Sequence, residues 1–274
     1  MHLSEVVAKL EESLRGFKRV LVAFSGGVDS ATLAAVCKML GKDVLAVTVL
    51  SQVTPSREIK AAKAAAREIG VKHEFLHLDV LTEEFRRNDK DRCYFCKRRI
   101  LEKLVEVAKA RGFDVVLEGT NASDLKEHRP GFRAARELGV RSPWAELGVT
   151  KEQIRSLAKE LGFSFHDRPS LACLATRIPF GVGIDEAELR MIDAAENALI
   201  EVCGVRQVRV RNYRGVAIVE VERGELGKVF EKADIVREKL KELGFKAVLL
   251  DLDGYASGAH IHLQTLRSIS SKTA

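Results

Sequence analysis

The chain has 274 residues, of which 46% are apolar and 31% charged, and this balance suits one large α/β domain, alone or with a smaller partner domain. Its formal net charge of +6 fits the binding of small anions but is too weak to indicate a nucleic-acid partner. No apolar stretch approaches the ~20 residues of a membrane span. Glu5, Glu11 and Glu12 indicate an amphipathic N-terminal helix rather than a signal peptide, so we expect a cytoplasmic protein without a membrane partner.

The first predicted strand, residues 20–24, leads directly into the string Ser-Gly-Gly-Val-Asp-Ser at residues 25–30, and a helical stretch follows. Gly26 and Gly27 let the backbone approach phosphate oxygens, while free N–H groups and the helix dipole favour negative charge. Asp29 can hold Mg²⁺ there, because a bound metal offsets repulsion between carboxylate and phosphate. The turn has no lysine and is therefore not the loop that handles γ-phosphates. It resembles the PP-loop of the ATP pyrophosphatase superfamily, whose members grip the pyrophosphate half of ATP.

Strand-like and helix-like runs alternate through the first half of the chain. Such alternation predicts a parallel sheet with helices on both faces, and ligands of such sheets bind outside the carboxyl ends of the strands. The glycine turn and residues 119–121, Gly-Thr-Asn, both fall at those ends, which supports an ATP site. The further strands are predicted at residues 44–50, 74–78 and 115–118, and a helix is predicted at residues 56–69.

The second half of the chain has a different pattern. A capping box predicts a helix over residues 150–161, and residues 164–183 are interpreted as a functional loop and domain junction. The predicted fold is therefore α/β, a parallel sheet flanked by helices in residues 1–183, with a smaller α+β domain in residues 184–274. That smaller domain is predicted to contain a helix at residues 185–202, hairpin strands at 205–211 and 216–221, a helix at 225–243 and a strand at 247–252.

The five cysteines, an odd number, argue against a disulfide framework and for thiol or metal chemistry. Cys93 and Cys96 form a CxxC, and Cys173 follows much later, in the predicted junction loop. Basic residues flank all three, and positive charge raises the thiolate fraction that metal binding and nucleophilic attack both require. Three thiolates suit either a [4Fe–4S] cluster with one open iron or a zinc ion with an open position. Cys37 is expected in the core, and Cys203, at a helix end before Gly204, is expected to have no functional role.

Taken together, the motifs resemble those of the LarE-type sulfur transferases, which build the nickel-pincer cofactor of lactate racemase. The resemblance covers roughly residues 18–183 in the right order and continues into the C-terminal third. Ala256 stands where members of the family tend to have arginine, a departure that leaves the exact acyl substrate open. The matching stretches are residues 25–30, 93–98, 118–121, 129–131, 141–143, 150–152, 172–178, 208–211 and 250–255.

The resemblance implies that ATP activates a carboxylate of pyridinium-3,5-dicarboxylate mononucleotide and that sulfur then converts it to a thiocarboxylate. Some members sacrifice the cysteine at the position of Cys173 and leave dehydroalanine. Members with all three cysteines look like enzymes that relay sulfide from iron, so we favour a [4Fe–4S] cluster on Cys93, Cys96 and Cys173. The family also tends to form hexamers, which implies a homo-oligomer.

The resemblance places the ATP site at the glycine turn and the neighbouring strand end. It implies that the turn binds pyrophosphate, that Asp29 holds Mg²⁺, and that residues 119–121 contact the nucleotide or the acyl group. Asp124 is either a second metal ligand or a plain helix cap. The expected ATP-binding residues are Ser25, Gly26, Gly27, Asp29, Ser30, Gly119, Thr120 and Asn121.

Four arginines are candidates for binding the acyl substrate. Arg209 and Arg211 are two apart on a predicted strand and share one face, so together they can clamp a substrate phosphate. The alternative is an exposed cationic strand face. Arg129 is expected at the acyl site, and Arg177 either joins it or tunes Cys173.

Three other functions fit part of the pattern. The first is sulfur transfer to tRNA, which the modest net charge argues against. The second is an amide ligase of the NAD-synthetase type, which would need no cysteines. The third is a non-enzymatic nucleotide-binding module with a structural zinc ion.

Overall fold

The computed structural model describes residues 3–126, 130–169 and 172–255 of the chain. Arg129 and Ala256 lie outside these residues. The described residues form two compact units: the first contains residues 3–85, 90–126 and 130–169, and the second contains residues 86–89 and 172–255. The predicted division at residue 183 assigns residues 172–183 to the first domain, and that division stays a prediction.

The first unit is built on a four-stranded sheet in the order β3-β2-β1-β4. All its strand pairs are parallel, so their carboxyl ends lie along one edge. The strands are β1 (Arg19–Ala23), β2 (Asp43–Leu50), β3 (Lys72–His77) and β4 (Val115–Leu117). The helices are α1 (Leu3–Ser13), α2 (Val28–Met39), α3 (Ser56–Ile69), α4 (Glu83–Arg86), α5 (Arg92–Ala110), α6 (Pro130–Glu137), α7 (Pro143–Glu146) and α8 (Lys151–Glu160).

Helices cover both faces of this sheet. Side chains of a strand alternate between the two faces, so one strand contributes to two core clusters. Val20 and Val22 of β1 belong to a core cluster with apolar residues of α1, α2, α3 and α8. Leu21, between them, belongs to a second cluster with Leu101 and Leu104 of α5. The predicted α/β fold with a flanked parallel sheet is therefore confirmed.

The second unit contains a three-stranded sheet in the order β5-β6-β7. The predicted hairpin is present: β5 (Val208–Tyr213) and β6 (Val216–Val221) are antiparallel, and Arg214 and Gly215 turn between them, both with positive φ. Two consecutive positive φ values are typical of the type I′ turn that matches strand twist. The strand β7 (Ala247–Leu250) is parallel to β6. The helices are α9 (Glu186–Cys203), α10 (Leu226–Phe230) and α11 (Ala233–Glu242).

The structure differs from the predicted elements in three places. The helix predicted at residues 225–243 is divided into α10 and α11. The long helix α5, which carries the CxxC, lies where no element was predicted. Short 3₁₀ turns interrupt the predicted loop, at Ser164–Asp167 and Leu174–Arg177. Within the described ranges, no helix has the length and apolar character needed to cross a bilayer.

Candidate functional site

The glycine turn joins β1 to α2 and packs against α3. Gly26 has φ +73°, and a Cβ added to it would lie 2.4 Å from the Cα of Ala62. Only glycine allows this approach, because any side chain would collide with the backbone of α3. The Ser30 hydroxyl braces the turn from within: its Oγ accepts from the Ser25 N–H at 3.2 Å and donates to the Gly27 carbonyl at 3.3 Å.

The end of β4 meets the start of α2, as the sequence predicts. A Cβ on Gly119 would lie 2.9 Å from the Ser30 nitrogen and 3.1 Å from Asp29 Cβ. Asn121 Nδ2 donates to Asp29 Oδ1 at 3.3 Å. The buried Trp144 indole donates to the Asp29 carbonyl at 3.1 Å and so holds the first turn of α2. The predicted groups 25–30 and 119–121 are thus brought together at the carboxyl edge of the sheet.

The carboxylate of Asp29 lies among several charges. Burial raises its pKa, the ammonium of Lys151 opposes this effect through an ion pair, and the neighbouring Asp124 adds to it. Asp124 accepts a hydrogen bond from the Asn121 N–H at 3.2 Å at the start of a 3₁₀ turn. The side chain of Asn121 caps that turn, because its Oδ1 accepts from the N–H groups of Ser123 and Asp124. A metal-ligand role for Asp124 stays a prediction. Mg²⁺ usually binds one or two carboxylates together with substrate phosphates, so this donor set fits the ion.

A small pocket of about 70 Å³ lies beside the turn and contains two cations. Arg168 Nη1 donates to the Gly26 carbonyl at 3.0 Å and to the Ala61 carbonyl at 3.3 Å, so it joins the turn to α3. Burial raises the pKa of Glu58 in the same pocket to about 7. The pocket is lined by Ser25, Gly27, Val28, Asp29, Glu58, Lys151, Arg168 and Pro169.

Lys151, Arg168 and Glu58 are not among the site residues that the sequence predicts. Lys151 had two signals in the sequence: it lies in the matching stretch 150–152, and it directly follows the predicted helix cap, where the helix dipole disfavours a cation. In the sequence, Arg168 is one of the basic residues that flank Cys173, and Glu58 is an acidic residue in the first turn of a predicted helix. Neither position by itself indicates a place in the nucleotide site.

The third residue group of the predicted site, the CxxC, is linked to the end of β4 by an ion pair. Lys97, directly after Cys96 on α5, donates to the buried Glu118 at 3.0 Å. Glu118 also accepts from the hydroxyls of Ser142 and, at 2.8 Å, of Thr120. Burial would raise the pKa of Glu118, but Lys97 and the two hydroxyls outweigh it, and the pKa is lowered.

The cysteines are distributed over both units. Cys93 lies in the first turn of α5 and is exposed, whereas Cys96, at the start of the second turn, is partly buried. Cys173 lies in the second unit, immediately before the 3₁₀ turn Leu174–Arg177. Among the described residues, no group of three or more His, Cys, Asp or Glu side chains is placed to hold a metal ion. Cys37 is buried as expected, and burial raises its pKa to about 12. Cys203 is buried as well.

Arg177 is fully buried in the second unit and holds the Cys173 turn. Its guanidinium pairs with Glu196 through contacts of 2.7 and 3.0 Å. Its Nη1 donates to the carbonyls of Ala172 at 2.9 Å and Cys173 at 3.1 Å. Arg177 therefore fixes the backbone at Cys173, and both of its expected roles, tuning the Cys173 thiol and binding at the acyl site, stay predictions.

Arg209 and Arg211 are both buried on β5, so they do not form an exposed cationic face. Arg211 pairs with Glu220 on β6 and donates to the Thr176 carbonyl at 3.0 Å. Arg209 donates to the Val208 carbonyl and lies 5.2 Å from the centre of the Tyr255 ring. Their phosphate-binding role stays a prediction, as does the role of Arg129, which lies outside the described residues.

A parallel sheet with this glycine turn at its carboxyl edge defines an α/β enzyme of the PP-loop class, and comparisons with known proteins agree. Residues 19–88 match the family model described as "Queuosine biosynthesis protein QueC". The tRNA-specific 2-thiouridylase MnmA of Desulforamulus reducens is 26% identical over 75% of this chain and 70% of its own length.

Two relatives cover nearly the whole chain. An uncharacterized protein of Synechocystis sp., slr1717, is 36% identical over 90% of this chain and 95% of its own length. The pyridinium-3,5-bisthiocarboxylic acid mononucleotide synthase of Lactiplantibacillus plantarum is 33% identical, with 92% of each chain covered. The chain belongs to this family, the LarE-type ATP-dependent sulfur transferases.

Proposed function

We propose that the enzyme activates a carboxylate of pyridinium-3,5-dicarboxylate mononucleotide with ATP and converts it to a thiocarboxylate. The observation that carries this proposal is the pocket at the glycine turn, where Asp29, Lys151 and Arg168 lie together. Two cations and the Asp29 carboxylate suit a magnesium-bound pyrophosphate, and the other carboxyl of the pocket, Glu58, has a pKa that burial raises to about 7. The name of the Lactiplantibacillus relative, a bisthiocarboxylic acid mononucleotide synthase, supports a small nucleotide-like substrate.

The first step is adenylation. An oxygen of the substrate carboxylate attacks the α-phosphorus of ATP, and the bond from that phosphorus to the pyrophosphate oxygen breaks. The electron pair leaves with pyrophosphate, which the N–H groups of the turn, Lys151 and Arg168 stabilise. Mg²⁺ held by Asp29 would offset the negative charge of the leaving group.

The second step is sulfur transfer. A sulfur nucleophile at the oxidation level of sulfide attacks the acyl carbon, and AMP leaves with the electron pair of the carbon–oxygen bond. Where Cys173 itself supplies the sulfur, its thiolate first forms a thioester with the acyl group. A base then takes the Cα proton of Cys173, the Cβ–Sγ bond breaks, its electron pair leaves with the thiocarboxylate, and dehydroalanine remains in the chain. In the other route the sulfur comes from a group bound by Cys93, Cys96 and Cys173. Because these cysteines form no metal-binding group in the described residues, the [4Fe–4S] cluster stays a prediction.

The experiment uses protein purified without oxygen, supplied with ATP, Mg²⁺ and the dicarboxylate mononucleotide. We expect substrate-dependent pyrophosphate release and a thiocarboxylate product, detected by mass spectrometry. Cys173→Ala should keep pyrophosphate release and lose the thiocarboxylate, whereas the matched buried-thiol control Cys203→Ala should keep both. Pyrophosphate release that does not respond to the substrate would contradict the proposed acyl acceptor.

The same preparation identifies the sulfur source. Iron and acid-labile sulfide near four each per chain would support the cluster. Colourless protein in which Cys173 loses the mass of hydrogen sulfide during turnover would support the sacrificial route instead. The cytoplasmic location and the hexameric state stay predictions, and size-exclusion chromatography with light scattering checks the oligomer.

The similarity to the tRNA-specific 2-thiouridylase favours one second candidate, thiolation of tRNA. Binding to tRNA with a steep salt dependence, together with tRNA-dependent pyrophosphate release, would support it.

A further inference from the structure

Lys151 reaches the glycine turn from a position where a cation is normally disfavoured. It is the first residue of α8, and the helix dipole opposes positive charge there. Its backbone is fixed by the capping box of Thr150 and by an N–H bond to Ser123 Oγ at 3.1 Å. The Lys151 ammonium nevertheless forms an ion pair with the Asp29 carboxylate. A specific charge partner therefore accounts for the direction of this side chain.

The ion pair joins two side chains that the proposed reaction needs for other partners, Mg²⁺ and pyrophosphate. Asp29 is the proposed Mg²⁺ ligand, and the pocket that contains both side chains is the proposed pyrophosphate site. The side chains of Lys151 and Asp29 are 29% and 21% exposed, so solvent screens the pair only in part. Without a metal ion, the Lys151 ammonium is the cation in direct contact with this carboxylate, and Arg155 acts on it more weakly.

We propose that Lys151 is an exchangeable counter-ion, which neutralises Asp29 in the nucleotide-free enzyme and moves to the pyrophosphate oxygens when Mg²⁺ binds Asp29. This inference rests on the proposed role of Asp29. Lysine suits the exchange because its ammonium is a compact charge on a flexible four-carbon stem. Phosphate oxygens in the same pocket offer it a new anionic partner without a change in the backbone of α8.

Arg168 does not perform this exchange. Its Nη1 already bridges the carbonyls of Gly26 and Ala61, so its movement would release the turn from α3. The pocket thus contains one cation that braces the turn and one that changes partner. It follows that Lys151 opposes metal binding in the absence of nucleotide and favours it when the nucleotide is present. Metal and nucleotide then bind as a coupled pair.

The test measures the affinity of the full chain for Mn²⁺, a spectroscopic substitute for Mg²⁺, by electron paramagnetic resonance. The measurement is made with and without a non-hydrolysable ATP analogue. We expect Lys151→Met to bind Mn²⁺ about fivefold or more tightly without nucleotide, because the Asp29 carboxylate has lost its competing cation. The same variant should bind the analogue about tenfold more weakly at saturating Mn²⁺, because one charged phosphate contact is lost. Lys159→Met, on the exposed last turn of α8, should change neither affinity by more than about twofold.

The two opposite changes separate exchange from a structural role, since a misfolded pocket would weaken both affinities. Unchanged or weaker Mn²⁺ binding in a Lys151→Met variant that melts like the wild type would overturn the proposal. Asp29→Asn tests separately whether Asp29 is a metal ligand. If this variant binds Mn²⁺ as tightly as the wild type does in the presence of the analogue, the proposed role of Asp29 is wrong.

Discussion

At the scale of single residues, Gly26 carries the strictest requirement of the site. Its positive φ costs an alanine about 1–2 kcal/mol, and a Cβ 2.4 Å from Ala62 Cα forces the turn to shift. We expect Gly26→Ala to lower the free energy of unfolding by about 2–4 kcal/mol and to weaken ATP binding at least tenfold. Denaturant titration and isothermal calorimetry measure the two effects.

Gly16→Ala is the matched control, because no heavy atom lies within 4 Å of a Cβ at that position. It should leave both quantities near wild-type values. A Gly26→Ala variant with wild-type ATP affinity would show that the turn has room to move. The close packing of the turn on α3 would then not be required for ATP binding.

The contiguous part of the site could be predicted from the sequence, because its shape depends on local backbone chemistry. Residues 25–30 form one turn, and their glycines and serines predict an anion site by themselves. Lys151 and Asp29 are 122 residues apart, and nothing in either neighbourhood specifies the other. The pairing of Arg211 with Glu220 is easier to predict, because the alternating pattern identifies both strands of the hairpin that carries them.

At the scale of elements, a short segment anchors the loop that follows Cys173. Asn88 is buried, has φ 58°, and donates through Nδ2 to the carbonyls of Pro179 at 2.8 Å and Val182 at 2.7 Å. Its own carbonyl accepts from the Gly181 N–H at 3.0 Å. All these residues belong to the second unit, so Arg86–Asp89 serves as a clamp on the loop at residues 179–184.

We expect Asn88→Ala to lower the free energy of unfolding by about 3 kcal/mol, because two buried carbonyls lose their donor and alanine disfavours the positive φ. Asn88→Gly should recover roughly 1 kcal/mol of that loss, because glycine accepts the backbone but not the hydrogen bonds. Urea denaturation followed by circular dichroism gives the values.

Asp89→Ala, at the exposed neighbouring position, is the control and should lie within about 0.5 kcal/mol of the wild type. Equal stabilities for the Asn88 and Asp89 variants would contradict the clamp. The sequence could not have predicted this contact, because the segment and its partner loop are some 90 residues apart and neither has a periodic pattern.

At the scale of the whole molecule, buried carboxyls with opposite pKa shifts determine how stability depends on pH. The pKa of Glu118 is lowered, so its contribution is present above the ordinary pKa of glutamate and is lost as pH falls. Burial raises the pKa of Glu58 to about 7 and raises that of Asp29. These two groups hold protons more tightly in the folded state, so stability falls as pH rises above their unfolded values. The nucleotide-free protein should therefore be most stable at about pH 5.

Glu58→Gln isolates the larger of these effects. The wild type binds a proton at Glu58 up to about pH 7 when folded but only up to about pH 4 when unfolded, so its stability declines between these values. The neutral amide removes that decline, and the variant should exceed the wild type at pH 8 by up to roughly 3 kcal/mol, with the difference vanishing near pH 4. Chemical denaturation across this range, with chelator present, measures the difference, and Glu160→Gln, at the exposed end of α8, is the control for replacing a carboxyl by an amide. A constant difference between Glu58→Gln and wild type at every pH would mean that the amide alters packing and that Glu58 does not hold its proton in the folded protein.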